Sequence, residues 1–401
     1  MGDAVLLPVS VPQFSTRSCS LFCKALGIVI AAVVLWNAFK LLRWALAVRS
    51  SLPNPIAFLL ICYLQDGHVL SQSIPVFGSS LGCLTAPHIY NQSSVVFYAP
   101  IDPQSQDHAF EIRGSAVGTF TVAQGAPGSD DVMYEMTLRT DDPALLQDVH
   151  IQYPDNKAGN PRFMITTPMF GTSSACMRFD ITMYVPPRLK KLSVSSHTAV
   201  MHIQFDEKSD VVLDKLYVTT FSMSKNNMIL SNTHVRGKSM SLEVLRGWII
   251  GDVAVLDNTR VTTQRADGIA NLRVHPVEHV DPESQSPASF MTVTGAGRTD
   301  IFYITPKAFQ RPIHNVHMSS RNADVYLTYN QAKFNGRIAM ESAQYSASGL
   351  EALPKSANED TSEDESEYES ATATQWTHWR GDKNGGDEIV VKSRGWTGLY
   401  F

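Results

Sequence analysis

The chain has 401 residues, 44% of them hydrophobic and 18% charged, with a net charge of −5. That length supports one large or two ordinary domains plus tails. The mild acidity supplies no basic face, so nucleic acid is not expected as a partner. The five cysteines form no CxxC and no Cys/His cluster, which excludes a zinc-finger module.

Residues 1–20 read as a short polar tail. Leu21 to Val48 is strongly apolar, and between Ala25 and Phe39 only Asn37 is polar. About 20 helical residues cross a bilayer core. Lys40 and Arg43 would snorkel to the headgroups, with Trp36 and Trp44 at the interface. A cleaved signal peptide fits less well, because the apolar run continues past Lys40 with no small-residue cleavage site. Residues 21–48 are therefore expected to be one transmembrane helix, with the lipid bilayer as partner. Residues 49–88 read as a Pro/Ser/Gly-containing linker; its apolar run Ile56–Leu64 is too short to cross.

Three features bear on topology. Asn91-Gln92-Ser93 is a glycosylation sequon, so Asn91 is a candidate acceptor. Cys83 and Cys176 are either two buried thiols or one disulfide of an oxidising compartment. Arg17 and Lys24 before the span, against Lys40, Arg43 and Arg49 after it, slightly favour a cytosolic bulk. The expectation adopted is a single-pass membrane protein whose bulk is extracellular or lumenal.

Residues 89–345 read as a β-rich domain. Val132, Tyr134, Met136 and Leu138 alternate with polar or smaller neighbours, and so do Met177, Phe179, Ile181, Met183 and Val185. That is the period of strands with one buried face. Pro143-Ala-Leu-Leu-Gln147 suits only a short helical turn. From residue 190 a ladder begins. Leu192-Ser-Val194, Leu216-Tyr-Val218 and Met240-Ser-Leu242 recur at intervals of 24 residues. Each is followed by a second short run: Met201–Phe205, Met228–Leu230, Trp248–Ile250. Val261–Thr263 with Gly268–Leu272, and Val316–Met318 with Val325–Leu327, read as later members. Two-strand units that cannot bury their own apolar faces must stack, so the expected fold class is mainly β, a β-solenoid of stacked ladders over 190–345. Residues 346–375 are acidic and apolar-poor, and are expected to be a disordered insertion. Residues 376–401 end in an apolar run and are expected to return to the domain as a strand.

Few motifs carry chemistry. His275-Pro-Val-Glu278-His279 matches H-x-x-E-H, which needs both histidines on one helical face with the Glu beside metal-bound water. Pro276 and the strand-like Asn271–Val274 oppose that helix. Asp382, Asn384 and Asp387 are spaced like the first half of a calcium loop but lack a distal bidentate Glu. Arg380-Gly-Asp382 matches an adhesion tripeptide and suits a hydrophilic turn equally well. No nucleophile elbow, Walker A or dinucleotide fingerprint occurs. No catalytic residue and no cofactor are expected.

Phe179–Pro186 leading into Leu189–Ser196, Ser319–Leu327 and the closing Val391–Phe401 resemble fungal single-pass membrane proteins that carry an adhesin-type β-solenoid domain. The resemblance implies one span, a strand-rich region and repeated ladders. It implies no established activity and no catalytic residues. Departures are the Asn226-Asn227 and Asn322-Ala323 turns, where Asn-Gly is usual, and the few basic residues before the span. The expected function is a membrane-anchored, non-enzymatic module with a protein or polysaccharide ligand on its ladder face. The alternatives are a cytosol-facing scaffold with a phosphorylatable acidic loop, and a zinc- or carboxylate-dependent hydrolase.

Overall fold

The computed structural model describes residues 74–401 except 156–159, 171–174, 266, 280–285 and 355–373. The expected tail, the 21–48 span, most of the linker and residues 355–373 of the expected 346–375 insertion therefore lie outside the described residues, while 346–348 and 351–352 of that insertion are strand rather than disordered. Among the described residues, no helix is long and apolar enough to cross a membrane. Ile74–Phe401 is one compact unit, mainly β, whose strands share one hydrogen-bonded network.

The N-terminal strands are β1 (His88–Ile89), β2 (Val95–Pro100), β3 (Asp107–Arg113), β4 (Val117–Gln124), β5 (Asp131–Thr140), β6 (His150–Gln152), β7 (Arg162–Thr166) and β8 (Met177–Val185). Pro143–Asp148 is a 3-10 turn, as its sequence suggests. Strands then come in pairs: β9 (Lys191–His197) with β10 (Val200–Phe205), β11 (Val211–Thr220) with β12 (Met228–Ser231), and β13 (Val235–Val244) with β14 (Trp248–Val255). The series continues with β15 (Asn258–Thr263) and β16 (Ile269–Pro276), β17 (Ala288–Thr294) and β18 (Thr299–Ile304), and β19 (Ile313–Ser319) and β20 (Val325–Gln331). The last strands are β21 (Gly336–Ser348), β22 (Glu351–Ala352), β23 (His378–Arg380) and β24 (Asp387–Tyr400).

Each pair is one rung that gives a strand to each of two parallel faces. The first face runs β7–β3–β9–β11–β13–β15–β17–β19–β24–β21. The second runs β8–β4–β10–β12–β14–β16–β18–β20–β24–β21. Strands β24 and β21 are long enough to serve both faces. The register sets Leu192, Leu216 and Met240 side by side. All three are buried, because side chains alternate across a strand and one parity must face the core.

Stacking order departs from chain order at both ends. The β3/β4 rung lies between β7/β8 and β9/β10, so the ladder begins near residue 107 rather than 190. At the other end the chain passes from β20 to β21 and leaves one rung unfilled. Strand β24 returns to fill it. The apolar C-terminus is thus the penultimate rung. Asp387 anchors its entry: one carboxylate oxygen accepts from the Ile313 amide at 2.8 Å, the other from the Asn335 amide at 2.6 Å.

Antiparallel strands cap the first end: β5 covers β8, β6 covers β7, and β1 and β2 pair with β5. Behind them Tyr134 stacks on Phe163 at 4.5 Å and Phe110 on Phe120 at 4.4 Å. Such end caps shield a core that would otherwise be open. Residues 74–88, expected as linker, pack on this region. The Gly78 amide donates to His202 Nδ1 at 3.0 Å, and Arg178 donates to the carbonyls of Gly78 and Gly82.

One rung inverts the pattern. The sequence predicts Val316 and Met318 as the inward pair of β19. The structure turns Asn315 and His317 inward, each about 1% exposed, and leaves Val316 and Met318 on the outer face. Tyr329 makes this workable: its hydroxyl lies 2.7 Å from Asn315 Nδ2 and 3.0 Å from His317 Nε2. Thr292 Oγ1 meets the other ring nitrogen at 2.9 Å. Buried polar groups are tolerated when they are partnered in this way.

Candidate functional site

The H-x-x-E-H residues do not converge. His275 ends on β16, and its Nε2 lies 2.8 Å from Asp252 Oδ1 of the neighbouring rung. His279 Nε2 lies 3.3 Å from Asp257 Oδ1. Glu278 accepts from the Gln310 amide at 2.9 Å. A strand end and the loop after it send these three side chains to three partners, where a helix would aim them at one metal. Among the described residues, no group of three or more His, Cys, Asp and Glu is placed to hold a metal ion.

The second candidate set is also spoken for. Asp382 accepts from the Asn384 amide at 2.9 Å, closing a turn, and Asp387 is committed to its two backbone donors. Burial pushes the Asp387 carboxyl above the usual carboxylate range, against the two backbone hydrogen bonds. Arg380 is held down: it donates to the Gly349 carbonyl at 2.8 Å and lies over the Phe401 ring. The tripeptide is therefore part of the end of the stack.

Cys83 and Cys176 form a disulfide with their Cα atoms 5.9 Å apart. It ties the 74–88 segment to the approach to β8. Asn91 is exposed, in a left-handed conformation that asparagine tolerates.

The most chemically distinctive surface is the outer side of the second face at β14 to β24. Arg298 forms a two-point pair with Asp300 at 2.7 and 2.8 Å, and its guanidinium sits 4.2 Å above the Tyr326 ring. The Asp300 hydrogen bond raises the Arg298 pKa further. Tyr326 meets Trp396 with ring centroids 4.9 Å apart. Arg273 and His275 both reach Asp252. Burial alone would raise the Asp252 carboxyl; the hydrogen bonds from His275 and Arg273 overcome it and hold the pKa below normal. A carboxylate shared by two donors is a structural clamp between rungs.

These pairs have one sequence signal in common. Asp252 to Arg273, Asp214 to Lys238 and Arg246 to Asp267 are each one rung apart, at separations of 21 to 24 residues. Opposite charges at the repeat length mark neighbours on adjacent rungs. The Tyr326–Trp396 contact carries no such signal, because only the displaced β24 brings those residues together.

No protein-family model and no curated protein matches the chain. A comparison of folds finds similarity to the crystal structure of a candidate cell adhesion protein from Clostridium sporogenes ATCC 15579. Identity is 9% and the TM-score 0.23, over 77% of this chain and 99% of that one.

Proposed function

We propose that this chain is a membrane-anchored, non-enzymatic β-solenoid that works as an extracellular or lumenal interaction module. One observation carries the reading. The side chains with catalytic or metal-binding potential are spent on contacts within and between rungs, while the outer side of the second face keeps aromatic and charged groups at the surface. A stack of rungs offers a long rigid surface for a partner, and its rungs need no chemistry to do so. The Cys83–Cys176 disulfide and the exposed Asn91 sequon support an oxidising, glycosylating compartment. The apolar 21–48 segment supports the anchor, and the resemblance to adhesin-type membrane proteins agrees with both.

The test is topology. Membranes bearing the full chain are treated with glycosidase, beside an Asn91→Gln variant, and with protease before and after permeabilisation. The proposal expects a mobility shift lost in Asn91→Gln and, in sealed microsomes, a β domain that protease cuts only after permeabilisation. A β domain cut from the cytosolic side contradicts it and leaves the scaffold reading.

A further inference from the structure

We propose that the second face binds a neutral polysaccharide through stacking on Trp396 and Tyr400; this rests on the interaction-module reading above. Both residues belong to β24 and flank Gly398 on the outer side of the sheet. A Cβ built on Gly398 would lie 2.6 Å from the Trp396 ring and 2.7 Å from the Tyr400 ring. Both rings therefore lie across the strand at Gly398. Both residues are half-buried. Tyr326, braced by Arg298, stands beside the indole and limits its movement.

Half-buried aromatic rings on the outer side of a sheet suit one kind of ligand. An aromatic face is apolar and electron-rich, so it attracts a flat surface of C–H bonds that gains by leaving water. The carbon face of a pyranose is such a surface, and its hydroxyls project at the rim. At that rim the register partners of Trp396 and Gly398 are Gln344 and Ser346, both exposed and both able to donate and accept. Charge selects against an ionic ligand. Arg298 is neutralised by Asp300 and Arg273 by Asp252, so the face has no cluster of one sign to draw in a polyanion or a polycation.

The test is affinity electrophoresis of the full chain through gels containing a neutral glucan, a neutral mannan or anionic alginate. Retardation by a neutral polysaccharide is expected. Trp396→Ala should weaken it at least tenfold, and Trp396→Phe should retain most of it. Thermal unfolding of each variant checks the fold; if Trp396→Ala fails to fold, Tyr400→Leu takes its place. No retardation by either neutral polymer overturns the inference, as does retardation by alginate alone or retardation indifferent to both substitutions. The two readings fail separately. A glycosylated Asn91 without polysaccharide binding removes this inference only. Binding by a chain whose β domain faces the cytosol removes the location only.

Discussion

The rungs from β9 to β14 and the rung of β19 and β20 fill equivalent places in the stack with opposite side chains. In the first, Leu192, Leu216 and Met240 form one inward column beside a second of Val194, Val218 and Leu242. In the second, Asn315 and His317 occupy the same two columns, and Val316 and Met318 lie outside. The first kind is held by burial, which is non-directional and indifferent to pH. The second is held by a hydrogen-bonded set around His317, which burial keeps neutral. Burial pushes the His317 pKa down to about 3, and does the same to His108, which pairs with the Tyr134 hydroxyl at 2.6 Å. His202, buried beneath the 74–88 segment, falls to about 4.

Acidification should therefore produce the largest effect. All three rings have lower pKa values in the folded state, so the unfolded chain binds more protons below about pH 6.5. Stability should fall as the pH drops through that value, and the loss should level off near the folded values of about 3 and 4. At pH 5 each ring should cost about 2 kcal/mol. Denaturant titrations at pH 7.5 and 5.0 measure this, and His317→Gln should recover part of the difference. An unchanged midpoint would show that the rings are not buried neutral.

A smaller effect separates the two kinds of rung directly. Leu216→Ala should cost about 2–5 kcal/mol, as for a fully buried leucine. Val316→Ala should cost less than about 1 kcal/mol, because the side chain is on the outer face. Equal costs would restore the register that the sequence pattern suggests.

The contrast also explains what the sequence discloses. The 24-residue spacing of Leu192, Leu216 and Met240 appears intact in the register, because apolar residues of one parity leave a single way to face the core. The β17 strand is hidden because Phe290 lies inward while Met291 and Val293 lie outward, which erases the period of two. In β19 the period is present but points the wrong way, since the partner that rescues Asn315 and His317 is Tyr329, on the other strand of the rung. The β3/β4 and β7/β8 rungs are hidden by order, because their neighbours in space are not their neighbours in sequence. The aromatic surface fails for the same reason: Tyr326 and Trp396 are 70 residues apart. The apolar C-terminus is legible as a docking strand, but its place in the stack is not.

That place is the feature on which the polysaccharide surface and the closed end both depend. Val316, Val390 and Ala339 are successive register partners on β19, β24 and β21. Adjacent strands lie about 4.8 Å apart, within the reach of a disulfide, and alternate strands lie about twice that far, beyond it. The decisive measurement is oxidative cross-linking of three double-cysteine variants, read by mass of the linked peptides. Val316→Cys with Val390→Cys, and Val390→Cys with Ala339→Cys, should cross-link, while Val316→Cys with Ala339→Cys should not. A bond between positions 316 and 339 would place β21 directly against β19, and the C-terminal strand would then lie somewhere else.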